Sequence, residues 1–436
     1  MARCSCTVVA GTLMLCLATY ASAQQAASPA NASPDGDAPH DNSVAPIVAA
    51  VPASSQLRQA GEDTRTQYPA FLTNSYFSIN LGYIHYGFSG QQLEPGYQVQ
   101  SIEIPHFAAR IGLFGHQFFK YLSAQVSYMR PIRYVVYRNV NGDQIRRQIS
   151  EAFGGVTITS QLPLNSRVSL YGEGGLGITS RSGIEIDGTT VVRDAHFASA
   201  LLGAGVEYHV NRTVDFVVGA TYSPRRQQFR QPPTRLFTTG IRYNLRPLPA
   251  AQVEDNRRAG FIFPENLVRA GFSSNIFAYG LNDFFSQTIP VFWGGNVEAR
   301  RGVTLAYERN VFHTRKRFAF DLGGSASYWK SGGDNEIFRT LSVYPLLRFI
   351  LFRTQPLDLY VNYSLAGPSY ISRTVIDGRD TGVRFTFQDF IGLGVFLRKN
   401  RRINAEIGIK HYSNGNLFTR NAAVKIPLTL SLGYTF

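Results

Sequence analysis

The chain has 436 residues, a formal net charge of +14 and 44% hydrophobic residues, with Phe 31, Tyr 23 and Gly 40 against only 3 Met. Beyond Leu17 no run approaches the roughly 18 apolar residues of a spanning helix, which excludes a helical membrane protein. The three cysteines (Cys4, Cys6, Cys16) all precede Leu17, which excludes a disulfide framework or a cysteine metal site in the remainder.

At the N-terminus, Arg3 precedes an apolar run from Val8 to Leu17 and then Ala21-Ser22-Ala23. A positive region, a short apolar region and an A-x-A site predict a cleaved secretory signal over 1–23, and so an exported protein. Leu15 before Cys16 argues against a lipoprotein signal. Residues 24–70 are rich in Ala, Ser, Pro, Asp and Asn. Such a segment buries too little apolar surface to offset its ordering entropy, and is expected to be a disordered periplasmic tether.

Aromatics and glycine with alternating hydrophobicity point to β-structure and, in an exported chain, to a membrane barrel. A membrane strand needs about 9–11 residues with lipid-facing and lumen-facing side chains alternating. Over 71–247 about eight such segments begin near Phe77, His106, Leu122, Gln148, Arg167, His196, Thr213 and Arg235. The clearest sets Val214, Phe216, Val218, Ala220 and Tyr222 against Asp215, Gly219 and Thr221. Short connectors, "PLNS" and "VNRT", fit periplasmic turns, and longer ones fit external loops. This half resembles a generic small outer-membrane β-barrel with no specific motif. Side chains fill barrels of this size, so no solute channel is expected.

"RPLPAAQVEDNRR", Arg246 to Arg258, has two prolines and no alternation, and predicts a linker over 248–262. A single barrel built from both halves is the alternative architecture. A second set of about eight strands runs from Leu267 to Phe436, within a domain over 263–436. Outward rows are Phe318, Phe320, Leu322, Gly324, Ala326, Tyr328 and Leu357, Leu359, Val361, Tyr363, Leu365. The last strand aligns Ile426, Leu428, Leu430, Leu432, Tyr434 and Phe436, a pattern similar to the terminal signature of outer-membrane barrels. The fold class expected is all-β: two antiparallel up-and-down barrels, each closed because an open edge in lipid leaves backbone groups unpaired.

One row is anomalous. In "INAEIGIKHYSNGN" the apolar series Ile403, Ala405, Ile407, Ile409 continues as His411 and Ser413. Counted back from the C-terminus, this strand ascends, so both residues fall near its outer end and face outward, towards the lipopolysaccharide leaflet. An imidazole and a hydroxyl two apart share a strand face, the minimal apparatus for acyl transfer. No HExxH, P-loop or cysteine cluster competes, and the first barrel offers no comparable pair. "HYSNGNL" before a short loop and a terminal strand resembles the lipid A 3-O-deacylase family (PagL type). That resemblance, spanning Leu267 to Phe436, implies His411 as general base, Ser413 as nucleophile and Asn414 in the oxyanion hole. It implies hydrolysis of the acyl ester at position 3 of lipid A, with no metal or cofactor.

The family pattern places a glutamate about fourteen residues after the histidine, where this chain has Lys425. Asp389 interrupts the outward row of "VRFTFQDFIGLGVFL" and falls opposite His411 if the hairpin centres near Asn400, which makes it the candidate acid. The positive charge fits either the phosphates of lipopolysaccharide or solvated loops and lumen, and in an exported barrel does not point to nucleic acid. The function expected is an outer-membrane serine esterase acting on lipid A. The alternative is a non-catalytic structural or lipopolysaccharide-binding barrel.

Overall fold

A computed structural model describes residues 64–258, 261–288, 295–418 and 420–436. The expected signal and residues 24–63 of the tether lie outside them. Arg65, expected within the tether, donates to Phe263 O and Asn310 Oδ1, each at 3.2 Å.

The first barrel is built from β1 (Ser75–Tyr86), β2 (Phe107–Phe119), β3 (Leu122–Pro131), β4 (Glu151–Pro163), β5 (Val168–Arg181), β6 (Ala195–His209), β7 (Val214–Ser223) and β8 (Thr234–Leu245). Each strand pairs antiparallel with its chain neighbours, and β1 closes on β8 from Ser75↔Leu245 to Tyr86↔Thr234. The second comprises β9 (Asn266–Ser274), β10 (Val297–His313), β11 (Phe318–Ser331), β12 (Ile337–Arg353), β13 (Leu357–Ile371), β14 (Phe385–Leu397), β15 (Ile403–Ser413) and β16 (Val424–Thr435). It closes through β9 and β16. There are therefore two closed eight-stranded barrels, not one shared barrel.

Alternation explains why the strands face as they do. On β7, Phe216, Val218 and Tyr222 are exposed while Asp215 and Thr221 are buried in the lumen. Each lumen is filled with paired charges. Arg110 meets Glu173 at 2.7 Å in the first. In the second, Glu308 lies between Arg269 and Arg348, and Arg348 also meets Asp321 at 2.5 Å. Such mutual neutralisation is what lets charges sit in a narrow, poorly solvated barrel.

Two departures follow from local chemistry. The linker contains a helix, α1 (Ala250–Arg257), anchored by buried Asn256, which donates to Thr66 O and accepts from Arg315 N. It has no apolar stripe, so sequence periodicity gave no sign of it. The outward row expected on β16 breaks at Pro427. The β15–β16 register shifts between Gly408 and Lys410, so that Lys410 pairs with Ile426 and His411 with Lys425. A proline cannot donate to the ladder, and the resulting irregularity reverses parity. Ile426 joins the internal cluster with Trp329, Phe338 and Tyr412, while Leu430, Leu432 and Tyr434 stay on the exposed outer face.

Short turns lie at the end holding Ser75, Leu245, Asn266 and Phe436, and long connections at the other. By barrel convention the first is periplasmic and the second external.

Candidate active site

β15 carries His411 and Ser413 near its external end. Its alternate residues turn inward: Glu406 pairs with Arg269, and the Tyr412 hydroxyl donates to Gln388 Oε1 at 3.0 Å. Parity therefore puts His411 and Ser413 on the outer face of the sheet. The β14–β15 hairpin sets Asp389 directly opposite His411, with Oδ2 3.4 Å from Nδ1. The other carboxylate oxygen, Oδ1, accepts from Ala366 N at 2.8 Å. That N–H is available because β13 is irregular between Ser364 and Gly367, with Ala366 at φ 53°. A non-glycine residue rarely adopts this conformation, and here it aims a donor at the carboxylate. An outward-facing carboxylate is costly without partners, and both of its oxygens have one.

Lys425 flanks His411 on the other side, so Asp389, His411 and Lys425 form one row across β14, β15 and β16. Its ammonium reaches Asp283 and Glu298, each at 3.1 Å. Asp283 belongs to α2 (Gly280–Thr288), whose buried Asn282 donates to Ile426 O at 2.9 Å and Lys410 O at 3.4 Å. The helix thus seals the outer seam between β15 and β16, where the irregularity exposes carbonyls.

The site is not open to lipid as the sequence implied. His411 is 0% exposed, Asp389 2% and Ser413 7%. Besides α2, the segment after Ser413 is held against the first barrel. Tyr128 donates to Gly415 O at 2.6 Å, and Asn416 Nδ2 donates to the Tyr134 hydroxyl at 3.0 Å. The Phe418 ring lies 5.4 Å from that of His196, and Arg420 meets Glu185 at 3.4 Å. Sequence alternation reports which face a residue occupies, and carries no information about a second domain packed over that face.

The hydroxyl of Ser413 is held by Asn421, whose Nδ2 donates to it at 3.1 Å, and by Gly415 N at 3.0 Å; neither partner is the imidazole. Asn414, implied by resemblance as an oxyanion donor, uses its amide otherwise. Nδ2 donates to Thr381 O at 3.1 Å and Arg420 O at 2.6 Å, pinning two loops together. The donors beside Ser413 Oγ are instead Gly415 N and Asn421 Nδ2. Sequence reasoning missed Asn421, four residues before Lys425. Among the described residues no group of three or more His, Cys, Asp or Glu is arranged to hold a metal ion.

Residues 299–435 match the family model described as lipid A 3-O-deacylase (PagL), a span that includes Asp389, His411, Ser413 and Lys425. Residues 55–223 match the OmpA-like transmembrane domain. Similar solved structures include the outer-membrane enzyme PagL, at 16% identity over 39% of this chain and 99% of that one, TM-score 0.29. Neisserial surface protein A is 17% identical over 39% of this chain and 97% of that one, TM-score 0.26. The N-terminal barrel of Pseudomonas aeruginosa OprF is 13% identical over 39% and 98%, TM-score 0.25. No curated protein matches the chain.

Proposed function

We propose that the second barrel is an outer-membrane serine esterase that hydrolyses the 3-O-linked acyl chain of lipid A. The observation that carries this reading is the row joining Asp389 to His411, two residues from Ser413, within the segment matching the lipid A 3-O-deacylase model. Asp389, fixed by Ala366 N, orients the imidazole through Nδ1, and Nε2 acts as the base. Ser413 turns from Asn421 towards the imidazole, loses its proton to it and attacks the ester carbonyl. Gly415 N and the Asn421 amide, the donors beside Oγ, are the groups that would stabilise the negative charge developing on the carbonyl oxygen. The protonated imidazole gives its proton to the departing sugar oxygen, and water then releases the fatty acid from Ser413. In an exported chain inserted in the outer membrane, the external end of the second barrel puts this site at the lipopolysaccharide leaflet.

A second reading, a non-catalytic lipopolysaccharide-binding barrel, is favoured by the bonding of Ser413 to Asn421 in a buried site and by Lys425 at the family's acid position. Mass spectrometry of lipid A from outer membranes carrying the wild-type or Ser413→Ala protein separates the two. Loss of the 3-linked chain only with wild type supports the esterase. Identical lipid A in both sinks it.

A further inference from the structure

The lumen of the first barrel holds a second Ser–His–Asp contact, in a half of the chain where no motif announces one. Ser169 on β5, His209 on β6 and Asp215 on β7 meet near the short-turn end. Ser169 Oγ lies 2.9 Å from His209 Nε2, and His209 Nδ1 lies 2.8 Å from Asp215 Oδ1. Oδ2 of Asp215 accepts from Arg242 Nε at 3.1 Å and Asn244 Nδ2 at 2.7 Å, so the carboxylate is fixed on both sides. With the proton on Nδ1 facing the carboxylate, Nε2 is left as the acceptor for the serine hydroxyl. The nearby pair Ser75–His116, at 3.0 Å, makes a useful contrast. It joins the hydroxyl to Nδ1, and no carboxylate is bonded to His116 among the described residues.

His209 and Asp215 line a cavity of about 640 Å³ at this mouth, together with Ser166, Arg167, Arg212 and Arg246. The His209 side chain is 32% exposed; Ser169 is 4% exposed and lies behind the cavity lining, reached through His209 Nε2. The guanidinium groups of Arg167 and Arg212 are exposed and unpaired among the described residues. A cavity with a polar wall and free cations at its rim selects small, charged, water-soluble molecules rather than acyl chains.

We propose that Ser169, His209 and Asp215 form a second esterase site, open to the periplasm, for small esters that carry a carboxylate or phosphate. It does not depend on the reading of the second barrel. Ser169 Oγ attacks the ester carbonyl while His209 takes the hydroxyl proton. The C–O bond to the alcohol then breaks, and His209 protonates the leaving oxygen. Water adds to the acyl-Ser169 with His209 again as base, releasing the acid and restoring the hydroxyl. Asp215 is a positioning residue.

The test uses the full-length protein folded in detergent, carrying Ser413→Ala so that the other candidate nucleophile is absent. A fluorophosphonate probe is applied and the adduct located by peptide mass spectrometry, with the heat-dependent gel shift reporting folded barrels. The expected adduct is on Ser169, with Ser169→Ala and His209→Asn lowering hydrolysis of mono-4-nitrophenyl succinate about 10³-fold. The anionic ester is expected to exceed 4-nitrophenyl acetate about tenfold in kcat/KM, an advantage lost in Arg167→Gln/Arg212→Gln. Asp215→Glu recovers activity that Asp215→Asn loses, which a purely structural carboxylate gives no reason to expect. Should a variant fail to fold, the adduct map of the Ser169-bearing protein decides. Absence of an adduct at Ser169 in folded protein, or unchanged hydrolysis in Ser169→Ala, overturns the site. Equal rates for the two esters overturn the substrate class.

Discussion

Asp389 and His411 face each other across the β14–β15 hairpin, and a backbone N–H from the irregular strand β13 holds the carboxylate from behind. The orienting carboxylate of a triad is worth about 10⁴ in turnover where it has been removed. Asp389→Asn is therefore expected to lower lipid A deacylation by about that factor with the barrel still folded. Full activity in Asp389→Asn, alongside a dead Ser413→Ala, leaves the esterase standing and removes Asp389 from it.

His411→Asn and Ser413→Ala should each abolish release of the 3-linked chain. Neither side chain bridges the strands through a lumen network, so the heat-dependent gel shift of the folded barrel is expected to persist. A variant that keeps wild-type activity in outer-membrane preparations removes its residue from the mechanism.

Lys425→Glu puts a carboxylate beside His411 but places it with Asp283 and Glu298, the two carboxylates that Lys425 now neutralises. Alone it is expected to give no gain, because like charges loosen α2 at the seam, an effect of about 1 kcal/mol. Combined with Asp283→Asn and Glu298→Gln it is expected to recover activity in the Asp389→Asn background. Rescue by Lys425→Glu by itself contradicts this account of the seam.

The cover over the site yields a reversible test. A Cβ at Gly154 would stand 3.0 Å from Leu417 Cδ2, and no cysteine follows Cys16. Gly154→Cys with Leu417→Cys is expected to cross-link the first barrel to the segment after Ser413. If lipid enters there, oxidation lowers deacylation by about tenfold or more and reduction restores it, since a fixed lid blocks turnover. Undiminished activity in the cross-linked form places the entrance elsewhere.

In the second lumen, Glu308 is shared by Arg269 and Arg348 and accepts from the Tyr344 hydroxyl at 3.3 Å. Glu308→Ala leaves two buried guanidinium groups with one fewer counter-charge, expected to cost about 3–5 kcal/mol. Urea unfolding in lipid vesicles measures it; a change within experimental error dissociates the network from stability.

Outside the membrane, Asp377 sits in an external hairpin. Burial raises its pKa, but the Ser331 hydroxyl, Asp334 N, Gly333 N and the nearby Arg379 charge outweigh this and hold it below the usual carboxylate range. A folded-state value below the unfolded one gives stability that is full above the unfolded pKa and is lost as pH falls through the folded value. Protease cleavage at this hairpin is expected to rise below about pH 4 in the wild type, and to be raised at neutral pH in Asp377→Asn. A flat profile in the wild type rejects the assignment.

Much of the architecture is legible in the sequence because membrane strands obey a local rule. Side chains alternate between lipid and lumen, so Phe216, Val218 and Tyr222 announce β7 without reference to any other strand. Hairpin arithmetic is equally local, and it puts Asp389 opposite His411 from the turn near Asn400 alone. What the tertiary structure decided are contacts made by closure and by packing between domains. Pro427 reverses the parity of β16 and brings Lys425 beside His411. Asn421 reaches Ser413 by the folding back of a loop, and the first barrel covers a face that alternation marks only as outward. Ser169 and His209 are forty residues apart and meet only because β5 and β6 pair in one register, with Asp215 brought in from β7. Periodicity along a chain fixes the direction in which a side chain points; the register between strands and the surfaces that pack over them fix what it meets there.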